Sequence, residues 1–391
     1  MFGKTFTLFR MFGFDVRIDV SWLVILVLVV WSLAGGVFPA QYSGMHWSIY
    51  LTMGVLAAIG LFASIVLHEL CHSLVAQQYG LPMKGITLFI FGGVAEMAEE
   101  PPSAKAELLM AVAGPLASLA IAVAFVGAAF MGATLSWPEG IILVLRWIGL
   151  INVILVAFNL IPGFPLDGGR VLRAILWHWR GNLRWATRVA SQVGAGFGLV
   201  LIGLGFLSLL GGNPLGGLWW ILIGMFVRAA AKQGYQQVLI RQALHGEPVR
   251  RFMSAEPVTV PPDLSVQELV DEFIYRHHFK MFPVVENGAL TGCVTTSQVK
   301  QVPRHEWSQR MTGEIALPCS EENTIDANSD AMKALATMTR THASRLVVVD
   351  DGKLVGVLAL KDLLRFLALK LELETDDSLS LPTSVAGQES G

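Results

Sequence analysis

Long apolar stretches fill the first part of the chain and then stop. Six runs, near residues 20–38, 51–79, 105–132, 139–161, 187–210 and 215–233, are poor in charge. A helix that crosses a bilayer needs about 20 mostly apolar residues, so the pattern predicts six membrane spans. Ahead of the first, residues 5–20 alternate Phe, Ile and Val with Arg and Asp. That is the period of a strand, and it predicts a short hairpin at the membrane surface. The first apolar run is too long for the core of a cleavable signal peptide, and no small-x-small site follows where cleavage needs it. After Lys232 the pattern changes. Asp, Glu, Lys and Arg recur through 249–370, and apolar runs shrink to short ones such as Leu346 to Val349. This part reads as a soluble α/β unit. The polar residues 375–391 read as a disordered tail.

Composition agrees with this division. Charged residues make up 15% of the 391 and hydrophobic ones 53%, against about 25% charged in ordinary soluble domains. The deficit excludes an ordinary cytosolic enzyme and a disordered protein. With 28 basic and 30 acidic residues the net charge is −2, which excludes an exposed nucleic-acid binder. The three cysteines, Cys71, Cys293 and Cys319, are far apart and give neither a disulfide framework nor a cysteine zinc motif.

Basic residues set the topology. Arg10 and Arg17 precede the first span, Lys84 and Lys105 flank the loop after the second, and Arg170, Arg173, Arg180, Arg184 and Arg188 follow the fourth. Arg228, Lys232 and Arg241 mark the end of the sixth, while the three intervening loops, 39–50, 133–138 and 211–214, carry no Lys or Arg. By the positive-inside rule both termini are cytoplasmic, and the location expected is the cell membrane.

The second run contains His68-Glu69-Leu70-Cys71-His72. Two imidazoles at i and i+4 share one helix face and can bind one ion, and a neighbouring Glu can serve as base. Ionisable side chains inside a membrane are costly and mark function by default. A third ligand is needed, with one position left open. Asp167 is the best placed, because Pro162 and Pro165 break the chain just past the fourth span and Gly168 and Gly169 allow a tight turn beside it. The bland alternative for Asp167 is a cap before a helix at 170–180.

These motifs together resemble the site-2 protease family of intramembrane zinc metalloproteases. The resemblance rests on His68-Glu69-x-x-His72 in a membrane helix, paired with Asn159-x-x-Pro162-x-x-Pro165-x-Asp167-Gly168, and covers residues 1–235. Two smaller marks agree: Gly92-Gly93-Val94 in the loop after the second span, similar to a membrane-dipping β segment, and Gly114-Pro115-Leu116-Ala117-Ser118 in the third. The resemblance implies a six-span helical domain with short membrane-surface β segments. It implies one Zn2+ per chain on His68, His72 and Asp167, and Glu69 as catalytic base. It implies Asn159, Gly92 and Gly93 near the substrate. The partners it implies are the lipid bilayer and single-span, membrane-anchored proteins, cut within or near the transmembrane segment.

The soluble half resembles a tandem pair of CBS domains, at 249–305 and 306–371. The order of Met253, a helix at 265–277, and the runs 281–285 and 290–294 recurs about 60 residues later, as two β-α-β-β-α units. Such pairs often bind adenine nucleotides through Ser/Thr-x-x-Asp. Here Thr295 is followed by Gln298, and Asp362 is preceded by Ala359, so each copy keeps one half. The resemblance therefore leaves two roles open: a nucleotide site using Thr295 and Asp362, or a structural pair that forms a homodimer. A CBS-gated transporter and an inactive membrane adaptor are the rival functions. Residues 233–248 read as a linker short enough to couple the halves.

Overall fold

A computed structural model of the chain describes residues 5–81, 83–90, 92–97 and 100–374. The tail expected to be disordered lies outside them. The chain forms two compact units that divide between Gln236 and Gln237.

The first unit opens with strands β1 (Thr5–Met11) and β2 (Phe14–Asp19), the hairpin that the alternation predicts. The carboxylate of Asp19 then caps α1 (Val20–Ser32), accepting from the backbone of Ser21 at 2.9 Å. A π-type turn leads into the short α2 (Phe38–Gln41). The remaining long helices are α3 (Trp47–Gln78), α4 (Ala104–Thr134), α5 (Glu139–Asn159), α7 (Leu183–Leu210) and α8 (Pro214–Leu244), with the shorter α6 (Asp167–Arg180) before α7. With α1–α2 counted as one, six of these are long and apolar enough to cross a bilayer. Within lipid only a helix satisfies its own backbone without water, which is why uninterrupted apolar runs give helices here. Side chains such as Phe130, Leu210 and Leu215 stand exposed, the arrangement that suits contact with lipid.

The helix α3 is the most enclosed of the spans and packs against α1, α4 and α5. Strands β3 (Met83–Phe89) and β4 (Gly92–Met97) follow it and complete a sheet in the order β1-β2-β3-β4. The β2–β3 pairing is parallel and the other two are antiparallel. Only β4 therefore offers an edge on the side away from the hairpin, because β3 is paired on both sides.

Three expectations shift. The helix expected at 170–180, α6, starts at Asp167. Leu166 is its cap residue and its carbonyl accepts from Gly169 and Arg170. Asp167 is thus helical, in the first turn where a carboxylate is favoured by the helix dipole. The sixth span runs on to Leu244, so residues 233–244 are helix where a linker was expected. The chain offers no stop until Gly246, whose φ of +79° suits a helix end.

The second unit contains β5 (Ser254–Ala255), β6 (Met281–Glu286), β7 (Ala289–Thr295), β8 (Leu317–Pro318), β9 (Thr324–Asp326), β10 (Arg345–Asp350) and β11 (Lys353–Ala359). Its helical segments are α9 (Val266–Glu268), α10 (Tyr275–His277), α11 (Thr296–Gln301), α12 (Thr312–Ile315), α13 (Ala331–Thr341) and α14 (Leu360–Glu374). The third shift is here. The two repeats are not self-contained, because each lends its leading strand to the other. Ser254 and Ala255 pair with Val357 and Gly356, while Leu317 and Pro318 pair with Cys293 and Gly292. The sheets are β5-β11-β10-β9 and β6-β7-β8. Met281, Cys293 and Val347 form a buried cluster that joins the two copies.

Candidate metal centre

His68 and His72 lie one turn apart on α3 and are both buried. Asp167 reaches them from the first turn of α6, and is also buried. His68 Nε2 lies 3.0 Å from Asp167 Oδ2, His72 Nε2 lies 3.2 Å from Asp167 Oδ1, and the two Nε2 atoms are 3.1 Å apart. No other group of three metal-ligating side chains converges among the described residues. The sequence-predicted trio is therefore one cluster.

The far nitrogens explain the orientation. His72 Nδ1 is 2.6 Å from the backbone carbonyl of Met110 on α4. A carbonyl only accepts, so Nδ1 carries the proton and Nε2 presents a lone pair to the cluster. His68 Nδ1 is 2.9 Å from Ser118 Oγ, two turns further along α4. The lone pair of His72 Nε2 thus faces the Asp167 carboxylate beside His68 Nε2, an arrangement that a cation among them would stabilise. A tetrahedral zinc ion at roughly 2.0–2.1 Å sets its donors about 3.3 Å apart, close to the spacings here. Space is reserved as well. A Cβ on Gly114 of α4 would overlap His72 Nε2 and lie 2.7 Å from His68 Nε2. The donor set and its cradle fit zinc.

The turn before α6 places Asp167. Phe164 donates its backbone N–H to the carbonyl of Ala190 on α7 at 3.0 Å. A Cβ on Gly168 would run into the Leu160 backbone, so only glycine lets the first turn of α6 pack against the loop that precedes it. The broken backbone is thereby tied to α7 and partly covered, with Gly163 buried, in line with the rule that a membrane tolerates such backbone only against protein or a wet cavity.

Glu69 is half-buried on α3. The β4 backbone passes directly over it: a Cβ on Gly93 would lie 2.9 Å from Glu69 Cγ. Gly92 has a φ of +131°, which a side chain would strain. The predicted base and the predicted substrate strand are therefore neighbours. Asn159 is the last residue of α5 and half-buried, and its side chain makes no hydrogen bond among the described residues. A second asparagine, Asn152, is the buried one, donating to Ser64 Oγ at 3.0 Å one turn before His68.

The nucleotide candidates lie in the second unit. Thr295 caps α11 in a reciprocal box with Gln298, accepting from Ser297 and donating to the Gln298 amide oxygen. Asp362 sits in the first turn of α14. Its charge opposes the downward push that burial gives the Arg345 guanidinium. Thr295 is thus engaged in the cap of its own helix.

Sequence reasoning missed the Met110 carbonyl, which no side chain announces. It singled out the segment holding Gly114 and Ser118, but as a packing motif and not as the support of both imidazoles.

Membrane helices around a buried His, His, Asp cluster define a class: a polytopic membrane metallopeptidase of site-2 protease type. Comparison with known proteins agrees. Residues 56–136 and 132–201 match the model of peptidase family M50, and residues 249–304 and 313–369 match the CBS domain. A Mycobacterium tuberculosis protein that bears the provisional name zinc metalloprotease Rip3 is 34% identical over 92% of this chain and 91% of its own. Zinc metalloprotease MJ0392 of Methanocaldococcus jannaschii is 31% identical over 94% of this chain and 97% of its own. A solved site-2 protease from Methanocaldococcus jannaschii is 30% identical, covering 59% of this chain and 94% of that one, with a TM-score of 0.42. The chain belongs to peptidase family M50, the site-2 zinc metalloproteases, and carries a tandem CBS pair.

Proposed function

We propose that the protein hydrolyses peptide bonds within or near the transmembrane segment of membrane-anchored, single-span substrates, the step called regulated intramembrane proteolysis. The observation that carries this reading is the convergence of His68, His72 and Asp167 at 3.0–3.2 Å inside the membrane unit, with Glu69 adjacent. These three side chains would hold one Zn2+. When bound, zinc supplies Lewis-acid polarisation and brings the pKa of water down toward about 7.

The chain's own residues do the rest. Glu69 takes the proton of the attacking water on its carboxylate and returns it to the leaving amine. The Met110 carbonyl and Ser118 hold the two rings so that their Nε2 atoms face inward. A helical substrate has its carbonyls occupied, so the segment to be cut must be extended. The edge of β4 is suited to receive it by strand addition, and it runs past Glu69 at Gly93.

The loop charges support cytoplasmic termini, and the cell membrane is the location that this reading takes. A transporter needs polar groups along several spans. Here the buried polar side chains of α5 and α7 are the uncharged Asn152, Thr187 and Ser191, and the buried ionisable ones of the spans lie on α3 and α4 among the described residues, which favours the peptidase. An inactive adaptor has no use for Glu69.

Metal content tests the ligand set. The purified full chain is expected to hold one zinc per chain by elemental mass spectrometry, and His68→Ala to hold none after dialysis. Full occupancy in His68→Ala removes His68 from the site.

For the CBS pair the division of the nucleotide motif between the copies, with Thr295 bonded to Gln298, favours a regulatory or dimerising role. Titration of the full chain with ATP, ADP and AMP is expected to show no saturable binding at sub-millimolar concentration. Saturable binding of any one would restore the nucleotide site.

A further inference from the structure

One face of α4 runs through Glu107, Met110, Gly114 and Ser118, at the spacing of successive helical turns. The last three serve the imidazoles. Glu107 serves a different helix. It is fully buried, and Arg173 of α6, also buried, donates Nε to Glu107 Oε1 at 2.6 Å. Arg173 Nη2 contacts the same oxygen and lies 3.6 Å from Glu100 Oε2. Arg170 Nε lies 3.9 Å from Glu107 Oε1. The Arg173 guanidinium also stands over the Phe164 ring, 5.4 Å from its centre, in the loop that delivers Asp167.

We propose that the buried Glu107–Arg173 pair is a positioning device for the metal centre: it fixes α6, which carries Asp167, against α4, which holds both imidazoles, and so sets the spacing of the three ligands. The inference rests on reading His68, His72 and Asp167 as ligands.

The offsets fit. Arg173 lies six residues past Asp167, about 9 Å along α6, and Glu107 lies seven before Gly114, about 10 Å along α4. Two helices joined at matching distances from the cluster cannot slide without moving Asp167 relative to the rings. Stability alone explains the pair poorly. Burying two charges costs desolvation that their attraction only partly returns, and well-packed apolar residues commonly replace such pairs without loss. Satisfaction is also incomplete, since Glu107 Oε2 has no hydrogen-bond partner among the described residues. A directional bond does what an apolar contact cannot: it holds one register.

The test separates positioning from folding, and from the ligand assignment. The full chain in detergent is prepared as wild type, His68→Ala, Arg173→Lys and the double variant Glu107→Gln/Arg173→Met, which removes both fully buried charges together. Zinc affinity is measured by chelator competition, and the thermal midpoint with and without zinc. The double variant is expected to keep the zinc-free midpoint while zinc affinity falls about 10- to 100-fold, the range for groups that orient metal ligands. The gain in midpoint on adding zinc should shrink in step. Arg173→Lys keeps the charge but loses the two-nitrogen hold on one oxygen, and is expected to fall between. Wild-type zinc affinity in the double variant and in Arg173→Lys overturns the proposal while the ligand set stands. A lower zinc-free midpoint in both, with zinc affinity unchanged, overturns it in favour of a purely structural pair. Equal zinc affinity in wild type and His68→Ala overturns the ligand reading, and this inference with it.

Discussion

Glu69→Gln is expected to keep zinc and to lose cleavage. The amide has nearly the shape of the carboxylate, so the ring orientation set by Met110 and Ser118 is undisturbed and metal content stays at the wild-type value. What goes is the proton acceptor. General-base groups contribute about 10²–10⁴-fold, so turnover of a membrane-embedded reporter should fall by that factor. The measurement is zinc content and cleavage rate on the same preparation. Loss of zinc together with activity would mean that Glu69 acts by holding the site together and not as a base.

Gly114→Ala is expected to act in the opposite manner, removing zinc while leaving Glu69 in place. The added methyl would occupy the position of His72 Nε2 and crowd His68 Nε2 at 2.7 Å. Neither ring can turn away without giving up its Nδ1 contact on the same helix. Inserting a carbon into packed surroundings costs about 1–3 kcal/mol, and here the strain falls on the ligands. Zinc affinity by chelator competition should drop at least about 100-fold, the upper range for losing ligand orientation, with helical circular dichroism unchanged. Wild-type affinity would mean that α4 does not form the wall of the site.

The two experiments probe opposite sides of one design, and they mark how much of it was legible in the sequence. His68, Glu69 and His72 could be read because their chemistry is local: an i, i+4 pair with its base between fixes one helix face. Asp167 is 99 residues from His68 and was legible only through the prolines and glycines around it. The groups that aim the rings were not. Met110 contributes a carbonyl that every residue has, and Ser118 looks like any small residue in a membrane helix.

The fold divides in the same way. Long apolar runs gave the spans because lipid leaves the backbone no alternative to a helix. The exchange of β5 and β8 between the repeats was not visible, since two-residue strands carry no periodicity. The course of α8 to Leu244 was obscured by the rise in polar residues after Lys232. Polarity ends a membrane span but does not end a helix, and the stop signal at Gly246 was the better guide.

The central claim is that this cluster cuts peptide bonds inside the bilayer. It is tested most directly by reconstituting the purified chain in liposomes with a single-span substrate and locating the new termini by mass spectrometry. The account predicts a cut within or immediately beside the apolar segment, dependent on zinc and absent with Glu69→Gln. Cleavage confined to the water-exposed part of the substrate, or undiminished in Glu69→Gln, would contradict it.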